Sequence, residues 1–162
     1  NTEREPLGKE PLPGGAFTNS TELFRYLIEH EHAYGLSYQS LAGCGVPVCM
    51  DGYLKPENNM WTVAKEWRDE RDDAVPILLT RNLDARSFVW KMPERGPDRR
   101  IGLDPEWRTP LGKRGGLLIR KGGAVFGARA KYLTSRAVFR ECKTDPGPVR
   151  YLTPSREVVA GE

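Results

Sequence analysis

Leu23, Phe24, Leu27 and Ile28 form an apolar stripe at i, i+1, i+4 and i+5, the spacing of one helix face. Just ahead of it, Asn19, Ser20, Thr21 and Glu22 have the form of a capping box, with Asn19 at the N-cap and Glu22 reaching back. Gly35 closes this pattern. Met60, Val63, Ala64 and Trp67 repeat at i, i+3, i+4 and i+7, which predicts a second helix with Asn58 or Asn59 as its cap. A charged run over 66–73 follows, and Pro76 then opens Ile77, Leu78, Leu79 and Thr80, an apolar run of strand type. Ser87, Phe88, Val89 and Trp90 read as another short strand. Residues 116–121 and 124–126 flank Gly122 and Gly123, the composition of a hairpin turn, with Leu117 and Ile119 expected to face the core together. Ala137, Val138 and Phe139, behind Thr134 or Ser135 as cap, predict one more helical turn.

The expected fold is α+β: a small antiparallel sheet of three to five strands packed on two helices, rich in loops. Residues 1–15 are charged and punctuated by Pro and Gly, so they read as an extended lead-in. Residues 16–142 make the globular head domain. Residues 143–162 read as a C-terminal tail, with Tyr151 and Leu152 added to the sheet.

Composition adjusts this picture in one respect. Gly and Pro supply 30 of the 162 residues, which favours loops over a helical bundle. The net charge of +3 conceals an asymmetry, because residues 1–94 sum to −5 and residues 95–162 to +8. Asp98, Asp104 and Glu106 interrupt the basic region and no nucleic-acid motif accompanies it, so nucleic acid is not an expected partner. A solvated face, or half of an acidic-to-basic contact between like subunits, fits better. No apolar segment is long enough to cross a membrane as a helix. Because the chain opens on Asn1 rather than Met, processing of an upstream segment is expected.

Candidate chemistry is sparse. Cys44 and Cys49 are placed to close a small loop in an oxidising compartment, leaving Cys142 alone; three ordinary thiols are the alternative. On a helix His30 and His32 point about 200° apart, so they cannot share one metal ion. Asp69, Asp72 and Asp73 are the candidate oxygen ligands for calcium, although their run lacks the glycine and spacing of a calcium loop. Both histidines fall in one segment and no serine occupies a nucleophile elbow, so no catalytic residue is assigned. The glycines near 112–116 precede a strand rather than a helix, the wrong context for a phosphate cradle. No cofactor is expected beyond that possible calcium. Trp61, Trp67, Arg114, Arg120 and Lys121 are the candidate interface residues.

Four segments in order carry a resemblance: residues 17–24 (FTNSTELF), 43–47 (GCGVP), 58–63 (NNMWTV) and 76–83 (PILLTRNL). Together with the 116–126 hairpin they resemble the prepilin-type, type II secretion pseudopilin-like proteins of bacteria related to the Verrucomicrobia and Lentisphaerae. The likeness runs over residues 11–130. It implies a non-enzymatic structural subunit, the soluble head of a type IV pilus-like filament protein. An apolar N-terminal helix would lie ahead of Asn1 and provide the only membrane attachment. The partners implied are other pilin-like subunits and the secretion machinery, and the location is the periplasmic face of the inner membrane or outside the cell. The soluble head alone is expected to be monomeric. The alternatives from the residues themselves are a secreted or surface module binding carbohydrate or protein, and a small hydrolase with an unrecognised site.

Overall fold

The computed structural model describes residues 17–30, 35–66, 72–90 and 97–162. Its centre is a six-stranded antiparallel sheet: β1 (Trp61–Ala64), β2 (Pro76–Thr80), β3 (Gly115–Arg120), β4 (Val125–Arg129), β5 (Arg150–Leu152) and β6 (Glu157–Val159). The spatial order is β4-β3-β2-β1-β5-β6. The first four strands thus form a meander, and β5 returns to the free side of β1.

The first helix, α1 (Ser20–His30), is where the capping pattern places it. Asn19 Oδ1 accepts the Glu22 N–H at 2.8 Å. The Glu22 carboxylate takes the Asn19 side-chain amide at 3.0 Å. Leu23, Phe24 and Leu27 pack against Leu41, Leu54, Val63 and Leu152 on one face of the sheet, each such side chain contributing about 1.5–3 kcal/mol. The helix start is also pinned from below. Ser20 Oγ donates to Trp61 O and Thr21 Oγ1 to Pro154 O, while buried Asn59 donates to both hydroxyls.

The opposite face carries a larger core, in which Ala64, Leu79, Leu118 and Tyr151 meet Leu83, Phe88, Leu133, Val138 and Phe139. The turn α2 (Ser135–Val138) lies here, capped by Thr134, whose hydroxyl accepts the Ala137 N–H. The helical turn expected here therefore forms, while of the two expected packed helices only α1 is found among the described residues, and the sheet has six strands rather than three to five.

The helix predicted from Met60 to Trp67 is instead strand β1, with Trp67 outside the described residues. A central strand covered on both faces has apolar side chains pointing both ways, and over four residues that pattern also satisfies a helical template. Val63 enters the α1 core and Ala64 the opposite one. Asn59 supports the strand start rather than a helix cap, its Oδ1 accepting the Trp61 N–H.

Ser87–Trp90, predicted as a strand, begins in a 3-10 turn (Ala85–Ser87). Asp84 forces that turn by accepting the Arg86 N–H, and Ser87 Oγ donates to Asp84 O. In the 116–126 hairpin, β3 and β4 form as predicted but in the other phase. Leu118 and Arg120 face the large core, and Leu117 and Ile119 lie half-buried on the α1 side; a strand's period of two makes this a one-residue difference. Residues 143–162, read as a tail with Tyr151 and Leu152 on the sheet, contribute two strands, β5, which holds both residues, and β6. β5 pairs directly with β1 and is buried at Tyr151 and Leu152. The lead-in 1–15 lies outside the described residues.

Candidate functional site

Among the described residues, a buried polar cluster forms where the chain leaves β2 and meets residues 104–109 and the β5–β6 turn. Arg81 follows the last residue of β2 and is only 3% exposed. Its position is fixed by its own N–H, which donates to Met60 O at the start of β1. From there the guanidinium reaches across two loops. Nε donates to Thr109 O at 3.0 Å and Nη2 to Thr109 Oγ1 at 2.6 Å. Nη1 donates to Pro56 O at 2.9 Å and Asn59 O at 3.1 Å, with Glu57 O at 3.5 Å. The Trp107 ring lies 4.3 Å from its central carbon. Burial pushes the Arg81 pKa below its ordinary value, and carbonyl dipoles plus the ring face meet the charge.

Asn82, also fully buried, donates from Nδ2 to Gly112 O and Gly115 O, tying β2 to the entry of β3. Its backbone carbonyl accepts the Asp104 N–H. Asp104 is 1% exposed, and its Oδ1 accepts the N–H groups of Glu106 and Trp107. Its other oxygen takes Arg156 at 3.3 Å, while Arg156 also holds Glu106 at 2.9 Å. Ser155 donates to Glu106 at 2.5 Å and accepts the Trp107 indole N–H. Asp84 and Arg86 form a separate bidentate pair.

Chemically, this cluster positions backbone. A hydroxyl does lie beside a carboxylate at Ser155 and Glu106. That carboxylate also bonds the Arg156 guanidinium, so the same oxygen ties the β5–β6 turn to residue 106 from two side chains. His30, stacked on Tyr26 at 4.5 Å, belongs to α1 and to no part of this cluster.

The sequence-derived site residues are dispersed. Asp69 and Trp67 lie outside the described residues, as does His32. Asp72 accepts the N–H groups of Ala74 and Lys143, which hold its carboxyl below the ordinary range. Asp73 pairs with Lys121 at 3.2 Å. Among the described residues, no group of three or more metal-ligating side chains comes together. Trp61 is half-buried and donates its indole N–H to Ser40 O. Arg114 is exposed, whereas Arg120 is buried beside the Phe126 ring and donates to Val138 O. Cys44 is exposed at the apex of a tight turn, with φ of 50°, and Cys49 is buried; both are free thiols.

Arg81, Asn82 and Asp104, around which the cluster is built, were not singled out by sequence reasoning. The available signal was the position of Arg-Asn directly after an apolar strand, where a charged side chain is carried into the interior. No protein-family model, curated protein or solved structure matches the chain.

Proposed function

We propose that the chain is a non-enzymatic structural subunit, the head of a pilin-like filament protein that neighbouring subunits hold in place. The observation that carries this reading is the use of the interior charges. Arg81 is taken up by four backbone carbonyls, the Thr109 hydroxyl and the Trp107 face, and Asp104 by two backbone N–H groups and Arg156. An arginine built to bind substrate keeps its fork open toward a cleft, whereas one filled from its own chain locks loops together. The −5 and +8 halves of the sequence add complementary charge that favours head-to-tail contact between copies.

The test is chemical cross-linking of the protein in its native cells, followed by membrane fractionation. A ladder of like subunits, recovered with the membrane, supports the reading. A freely soluble protein that gives no ladder contradicts it.

A second reading is favoured by the loop over 42–55. Met50 is 90% exposed there, and exposed Tyr53 stacks on Arg25 at 4.1 Å. Such residues suit a module that binds another protein at the surface. Loss of partner capture in a Met50→Ser, Tyr53→Ser double variant, with cross-linking unchanged, would favour it over the filament subunit.

A further inference from the structure

The two edges of the sheet are not alike. At β6 the edge is three residues long, Glu157 is ion-paired to Lys65, and the Val159 carbonyl accepts the Glu162 N–H. Short length, charge and a capped carbonyl all protect an edge from pairing with other chains. β4 has five residues, no proline, and no charge before its last position.

The register of the hairpin says which groups β4 leaves open. Ala130 N–H donates to Arg114 O, and Arg120 N–H to Ala124 O, one at each end of the β3–β4 ladder. Bonded pairs alternate in an antiparallel ladder, so Gly116/Ala128 and Leu118/Phe126 are the bonded pairs between them. The peptide groups of Val125, Gly127 and Arg129 therefore point off the edge.

We propose that β4 pairs antiparallel with β4 of a second copy of this chain, about a two-fold axis at Gly127. The edge is self-complementary in this register. Gly127 faces its own equivalent, so no side chains collide at the axis. Val125 of each copy lies opposite Arg129 of the other, and the aliphatic stem of the arginine covers the valine. The two Arg129 side chains stand about 14 Å apart along the strands, too far for strong repulsion. Val125 is 63% exposed, and Leu117 and Ile119 are half-buried on the same face; pairing joins these residues of both copies into one apolar strip. A five-residue edge is well below the area of a stable interface, so association is expected to be weak, with a dissociation constant on the order of 1 mM and the dilute chain monomeric. A two-fold contact closes on itself. It does not depend on the filament reading above.

Substitutions at Val125 test the register, because its side chain is exposed and the fold does not rely on it. Sedimentation equilibrium at low salt, from about 10 μM to about 2 mM, is the measurement. Val125→Glu sets a carboxylate opposite Arg129 twice per dimer and is expected to tighten association about tenfold; Val125→Lys weakens it about tenfold. Amide exchange should slow with concentration at Val125, Gly127 and Arg129 alone within β4. The proposal is overturned if the wild type and Val125→Glu both remain monomeric throughout, or if the two substitutions shift association in the same direction.

Discussion

Replacing Arg81 with alanine leaves the carbonyls of Asn59 and Thr109 without their donor in a closed interior, and that of Pro56 with the Asn59 N–H in place of two donors. Charged hydrogen bonds of this kind are worth about 1.5–3 kcal/mol each in mutational series, so Arg81→Ala is expected to cost roughly 3 kcal/mol or more in denaturant unfolding. Arg81→Lys should recover little, since an ammonium cannot span Thr109 and Pro56 at once. The thiols give a second expectation at this scale. Burial, then the Asp72 charge, push the Cys142 pKa up to about 11. The folded state thus favours the neutral thiol; that stability is full below the ordinary value of 9.0 and is lost as pH rises toward 11. In the native protein at pH 8 a thiol reagent should label Cys44 quickly and leave Cys142 unmodified, as read by mass spectrometry. Equal labelling of the two would contradict the burial.

The strands depend on where glycine stands. A Cβ on Gly115 would sit 2.1 Å from the Ala128 carbonyl oxygen, a backbone atom that cannot yield without breaking β3–β4 pairing. On Gly116 it would meet the Leu83 methyl groups at 2.5 Å, and that buried side chain must repack. Gly116→Ala is therefore expected to cost about 1–3 kcal/mol, and Gly115→Ala more, as a larger drop in melting temperature. Asp72 staples the turn before β2 to residue 143. Its depressed pKa makes the staple fully effective above 3.8, and its contribution is lost as pH falls through the lower folded value. An Asp72→Asn variant should flatten the acid limb of the stability profile. At this scale α1 was legible from its stripe and cap, and the β3–β4 hairpin from its glycines. β1 was not: Met60, Val63 and Ala64 fit a helix template as well as they fit a strand buried on both faces. Tyr151 and Leu152 were expected on the sheet and lie in β5, but the partner of β5 was not legible, because β1 lies some ninety positions earlier and local pattern carries no sign of that pairing.

For the whole molecule, the C-terminal strands close the sheet against its central strand, and Thr153 and Pro154 hold the start of α1. A chain ending at residue 143 should lose cooperative unfolding altogether, where a true tail would be removed at little cost. The polar cluster was illegible in the sequence because it draws residues 56–59, 81–82, 104–109 and 153–156 to one place, and no short spacing links them. The most direct test of the claim that these charges hold the fold is the NMR signal of the Arg81 Nε–H in the free protein. It should be protected from solvent exchange and unmoved by added phosphate. A signal that exchanges freely, or shifts as phosphate is titrated in, would mean the guanidinium is open to a ligand and would contradict the account.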